Sequence, residues 1–154
     1  MFVVCKLPGK GQQLSQSMQD QILVLALLWA RELRRRPLPP MYSCGIRYQP
    51  EPADSLAEEW VDPYTVKERG FADCDDFVIW RLAEILNESN WTLKDGIQTL
   101  PAWPCIAWLK GTGRYHVLIR HRAGDTLEDP AKLMLKKYGD PPEEHPWQSK
   151  RKPR

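Results

Sequence analysis

The sequence predicts an α+β fold. Helical apolar spacing governs two segments in the first ninety residues, and strand-like runs gather after residue 104. The order is helix, loop, helix and then strands, without repeats and without the alternation that would build a parallel sheet. Fourteen prolines in 154 residues exclude a simple helical bundle and predict many turns.

Residues 1–13 read as a short strand or arm broken by Gly and Pro. From Leu14 to Arg36 the pattern is helical, with Leu14, Met18, Ile22, Leu25, Trp29 and Leu33 recurring at spacings of three and four. Ser15 or Ser17 is expected to cap it, and Leu23, Leu27 and Leu28 widen the stripe, predicting burial on more than one side. Pro37, Pro39 and Pro40 then mark a connector. Residues 41–63 read as irregular, with a short strand around Gly45–Tyr48. A second helix is predicted from Asp73 to Glu88. Asp73 suits the N-cap, Asp76 follows three residues later, and Val78, Leu82, Ile85 and Leu86 supply one apolar stripe.

After a connector from Trp91 to Pro104, Cys105–Leu109 and Tyr115–His121 read as strands broken at Gly111–Gly113. Arg122–Asp125 is a turn, Thr126–Glu128 a returning strand that Asp129-Pro130 ends, and Ala131–Tyr138 a short helix. Residues 139–154 lack periodicity and are expected to be a flexible, Pro-rich basic tail. The domain division expected is therefore 1–40 as an arm and helix packing on the core, 41–138 as the core, and 139–154 as the tail.

Composition excludes several classes of function. Lys plus Arg is 22 against 20 acids, a formal charge of +2, so a dedicated polyphosphate binder is excluded and nucleic acid is not an expected partner. The longest apolar run, Ile22 to Ala30, is too short to span a bilayer, and Arg31 and Arg34–Arg36 follow it where a signal peptide would place small residues. No membrane association is expected. The four cysteines form no C-x-x-C pair, which argues against structural zinc and a disulfide framework, and predicts free thiols in a cytoplasmic protein. No phosphate loop, dinucleotide motif or metal-ligand cluster appears, so no cofactor and no metal are expected.

Chemistry is expected at Cys74. It sits in the first turn of the second helix, where backbone N–H groups and the helix dipole favour a thiolate. Asp73, Asp75 and Asp76 oppose that, so a specific cation or imidazolium is needed. The histidines are His116, His121 and His145. His116 is embedded in a strand, as suits a rigidly held base. With a two-residue loop at Ala123-Gly124 or Gly124-Asp125, positions 116 and 129 fall on one face of the hairpin, and Asp129 can approach the imidazole. His121 has the opposite parity and His145 lies in the tail. From Glu51 to Asp76 nine acids face two bases, predicting a negative entrance that favours a cationic or amine-bearing substrate.

These residues carry a family resemblance. The segment from Asp62 through Cys74 to Phe77 resembles the G-x-G-D-C-E-D nucleophile motif of transglutaminase-like cysteine enzymes, with Ala72 in place of Gly and Asp75 in place of Glu. Tyr115-His116-Val117 and Glu128-Asp129-Pro130 resemble the superfamily's His and Asp motifs, in the same order. Tyr48-Gln-Pro-Glu51 and Trp60–Pro63 are similar to segments of small members encoded by tailed bacteriophages. The resemblance covers roughly residues 45–135 and implies a papain-like core, a nucleophile helix on a small antiparallel sheet. It also implies acyl transfer by Cys74, His116 and Asp129 through a thioester, resolved by water or an amine, with a protein or peptide substrate. The Cys74 backbone N–H would hold the oxyanion, with Tyr48, Gln49, Trp60 or Tyr64 as the second donor. Trp60, Trp103 and Trp108 flank the implied cleft and are candidates to shape an acyl channel.

A different class of function competes. The extra N-terminal helix and the basic tail also fit a bacteriophage virion structural or assembly protein that keeps the fold, binds other phage structural proteins and does no chemistry. Such a protein would be found in the host cytoplasm or in the virion.

Overall fold

The short arm forms strand β1, Val3–Cys5. The first apolar stripe forms helix α1, Gln12–Arg35, and its Met18, Ile22, Leu25, Ala26, Ala30 and Leu33 are buried. The helix begins before both serines expected to cap it, and Ser17 Oγ accepts from Gln21 Nε2 at 3.0 Å within the helix. Burial is also narrower than expected: Leu23 and Leu27 are half-buried, and Leu28 is exposed with Val24 beside it. This computed structural model describes residues 3–5, 12–50, 58–109 and 114–139; the tail from 140 and the Gly111–Gly113 break lie outside the described residues.

A 3-10 turn at Met41–Ser43 leads to strand β2, Arg47–Tyr48. Strand β3, Glu58–Trp60, pairs antiparallel with β1, setting Trp60 opposite Val3. Helix α2, Pro63–Arg69, was not anticipated from the sequence. Asp62 caps it, its Oδ1 accepting from the Tyr64 and Thr65 N–H groups, both at 3.0 Å, with Pro63 at the first helical position. Gly70 ends it at φ +79°, a left-handed conformation open to glycine at no steric cost. Strand β4, Phe71–Ala72, then runs parallel to β2, with Tyr48 opposite Ala72. Ala72 therefore occupies a buried strand position, so this departure from the motif's glycine is accommodated.

Helix α3, Cys74–Glu88, starts at the nucleophile candidate, with Asp73 as N-cap accepting from Asp76 N–H. Phe77, Val78, Ile79, Trp80, Leu82 and Ala83 are all buried, so most of the circumference is covered, as befits a central helix. It packs against α1, which also contacts the next strand, β5, Ala102–Leu109.

Strand β5 starts three residues earlier than expected and contains Pro104, paired with Ile119. Proline is tolerated because β5 is an edge strand, where one side needs no amide donor. Strand β6, Arg114–His121, is the middle strand, and its alternation buries Val117 and Ile119. The turn at Ala123–Asp125 uses positive φ at Gly124 (+74°) and Asp125 (+50°). Strand β7, Leu127–Glu128, returns with Ile119 opposite Glu128 and Arg120 opposite Leu127. That register is the one expected for a loop centred on Ala123-Gly124. Helix α4, Pro130–Tyr138, follows with Asp129 as its N-cap and packs on α3 and β2. The architecture is mixed α+β, with a small antiparallel sheet packed on helices.

Candidate active site

The returning hairpin delivers the carboxylate to the imidazole. His116 Nε2 and Asp129 Oδ2 are 2.9 Å apart, both side chains about three-quarters buried. Asp129 does two things at once: Oδ1 accepts the Lys132 N–H at 3.0 Å, capping α4, while Oδ2 faces His116. A carboxylate on one ring nitrogen fixes the imidazole's tautomer and orientation.

Cys74, a half-buried cysteine outside any disulfide, opens α3, which packs on the strand that carries His116. The neighbours of the two residues touch: Tyr115 Oη donates to Asp75 Oδ2 at 3.3 Å. Tyr48 connects the same groups from β2. Its phenol is held well above the ordinary value, first by burial and then by the nearby Cys74, Asp73 and Asp129, with Arg114 pulling the other way. Cys74 and Asp129 thus lie within electrostatic reach of one hydroxyl.

The first turn of α3 buries three carboxylates, Asp73, Asp75 and Asp76, whose oxygens lie within 4.8 Å of one another. Burial and then the Asp75 and Asp76 charges hold Asp73 well above the usual carboxylate range, helped by its hydrogen bond to Asp75. Asp76 accepts from Val61 N–H at 2.6 Å and from Arg69 Nη2 at 3.1 Å. Arg69 in turn lies over the Phe71 ring at 4.4 Å and donates to the Phe71 carbonyl. A cation therefore pairs with Asp76, two residues after Cys74. Of the nine acids behind the expected negative entrance, Asp62, Asp73, Asp75 and Asp76 are buried and committed to caps and pairing, Glu68 is exposed, and Glu51 and Asp54 lie outside the described residues.

Three further residues were candidates for the oxyanion or cleft. Gln49 is buried, its backbone N–H donating to Ala72 O at 2.8 Å, two residues before Cys74. Among the described residues its Oε1 has no hydrogen-bond partner. Trp60 is buried one residue before Val61, which binds Asp76, and its Nε1 has no partner among the described residues. Tyr64 goes elsewhere. Its hydroxyl donates to Arg36 O at 2.8 Å, its ring meets Trp29 edge-on, and the charges that reach it are Arg36, Glu32 and Asp62. The α1 junction holds it away from the candidate triad. Of the other tryptophans expected near a cleft, Trp108 packs edge-on against Tyr115 and is 41% exposed, while Trp103 lies under the Arg122 guanidinium.

Tyr115 and Glu128 carry structural work that the sequence reading did not single out. The Tyr-His and Glu-Asp dipeptides were the available signal, because strand alternation sends the two neighbours to opposite sides. No helix is long and apolar enough to cross a membrane among the described residues. Comparison with known proteins finds no matching family model, no matching curated protein and no matching solved structure.

Proposed function

We propose that this chain is a transglutaminase-like cysteine enzyme with a papain-like core, acting on amide bonds through Cys74, His116 and Asp129. The observation that carries the reading is the 2.9 Å contact between His116 Nε2 and Asp129 Oδ2, beside a helix whose first residue is a cysteine. With Nε2 engaged, Nδ1 is the ring atom left to take the thiol proton. The Cys74 sulfur attacks the amide carbonyl carbon, the C–N bond breaks, and His116 returns the proton to the leaving amine. Water or a second amine then attacks the thioester, giving an acid or a new amide and restoring the thiol. The backbone N–H of Cys74 and the side-chain amide of Gln49 are the proposed oxyanion donors. The substrate class is a protein or peptide.

Competitive labelling of the native chain with iodoacetamide tests the proposal. Cys74 is expected to react much faster than Cys5, Cys44 and Cys105, with a bell-shaped pH profile that His116→Gln abolishes. Equal, slow labelling of all thiols would refute the enzyme and leave the fold as a docking scaffold, as in a virion assembly protein.

A further inference from the structure

Asp129 follows a strand of only two residues, and so short a pairing cannot by itself hold a carboxylate in place. The residue before it is held by much more. Glu128 Oε1 accepts from the Tyr42 hydroxyl and from Arg81 Nε at 3.1 Å, and Oε2 lies 2.6 Å from His121 Nε2. These partners come from three places: the turn after α1, the middle of α3, and the end of β6. Arg81 is itself braced by Glu84 at 3.1 Å and Glu88 at 3.0 Å.

We propose that Glu128 is a positioning residue for the candidate triad: by clamping the end of β7 to Tyr42, Arg81 and His121, it sets the Asp129 carboxylate on His116. The inference rests on the reading of His116 and Asp129 as a catalytic pair. Along extended backbone, adjacent side chains point to opposite sides. Glu128 reaches α3, so Asp129 faces the other way, toward His116. A rotation that released Glu128 would carry the Asp129 oxygen off Nε2. The helix beyond Asp129 is tied to the same anchor, since the Tyr42 carbonyl accepts from Lys137 Nζ at 2.5 Å and Tyr138 Oη at 2.8 Å. Asp129 is therefore fixed from both sides through Tyr42. An ionic cluster of this burial is a poor way to gain stability alone, because apolar packing of equal volume does as well.

The test compares wild type, Glu128→Ala and Glu128→Gln in the full chain. Nitrogen-15 NMR reads the Nε2-bound proton of His116, iodoacetamide reads the Cys74 rate, and urea unfolding establishes that each chain is folded. In Glu128→Ala the His116 Nε2 proton signal is expected to be lost and the Cys74 rate to fall about tenfold to a hundredfold. Glu128→Gln keeps an oxygen for Tyr42 and Arg81, and is expected to restore both. If Glu128→Ala does not fold, Tyr42→Phe, which removes one donor, is expected to weaken the signal and slow Cys74 in proportion. A folded Glu128→Ala, or Tyr42→Phe in its place, with the wild-type imidazole signal and rate overturns the proposal. Failure of the catalytic reading is separable: wild-type Cys74 would then label no faster than Cys5, Cys44 and Cys105, and the imidazole proton alone decides the positioning.

Discussion

In the proposed triad Asp129 joins stability and chemistry in one carboxylate, and three substitutions separate them. Asp129→Ala removes the α4 cap, worth about 1 kcal/mol, and the hydrogen bond to His116, worth about another 1 kcal/mol in this half-buried setting. For a chain of this length, about 2 kcal/mol lowers Tm by roughly 4–8 °C. Asp129→Ser keeps a capping oxygen but is too short to reach His116, so about half of that loss is expected. Asp129→Asn is the informative variant. Its single oxygen remains on the Lys132 N–H, so its amide nitrogen faces Nε2. An amide donor there places the imidazole proton on Nδ1, the atom required to accept the thiol proton. Calorimetry should therefore find Asp129→Asn close to wild type, while Cys74 alkylation at neutral pH falls by about a hundredfold or more. Wild-type alkylation in Asp129→Asn would refute the reasoning and reduce Asp129 to a helix cap.

The other predictions concern the groups around this pair. Asp73 is held above its ordinary range, so its ionisation opposes folding: the cost is absent below the unfolded value of about 3.9 and grows as pH rises toward the folded value. Asp73→Asn, which keeps the cap, should raise the urea midpoint at pH 7 relative to pH 4, whereas Asp73→Ala should lose about 1 kcal/mol at pH 4 and less at pH 7, where it also removes the ionisation cost. Burial alone would raise Glu128, but Tyr42, His121 and Arg81 together hold it below its ordinary value. Its stabilisation is then complete above about pH 4.3 and is lost as pH falls through the lower folded value, so Glu128→Gln should flatten the acid limb of stability against pH. Gln49→Leu buries no orphaned oxygen and should leave the unfolding free energy from urea titration within about 1 kcal/mol of wild type. If Gln49 donates to the oxyanion, the same variant should slow turnover of an acyl substrate by about 10²–10³-fold, and unchanged turnover would remove Gln49 from that role.

Local constraints were the legible part of this fold. The cap at Asp73, the apolar spacing of α3 and the parity that brings Asp129 to His116 are rules that act within a few residues or across one hairpin. Helix α2 obeys equally local rules, with Asp62 as cap, Pro63 at the first position and Gly70 at the end, but proline-rich, acidic surroundings masked its short period. Other features depend on distant partners. Pro104 fits a strand because β5 is an edge, and edge status is a property of the sheet. The acids near Cys74 read as a negative entrance, yet Val61 N–H and Arg69 draw Asp76 inside. Tyr64 read as part of a cleft, yet Arg36 and Trp29 take it to α1.

Histidine and carboxylate meet twice between β6 and the end of β7, once as His116 with Asp129 and once as His121 with Glu128. The two pairs have opposite parity, so Glu128 at the end of β7 and Asp129 just after it point to opposite sides of the chain. Glu128 is occupied on both oxygens by protein donors, one of them the cation Arg81 that belongs to the nucleophile helix. Asp129 spends one oxygen on a helix cap and the other on an imidazole whose Nδ1 the proposed mechanism gives to the thiol. A carboxylate closed in by a cation and a phenol is built to hold position, whereas one that steers a half-buried imidazole is built to govern where a proton sits. The proposed chemistry therefore rests on His116 rather than His121, because of what each carboxylate has left to do.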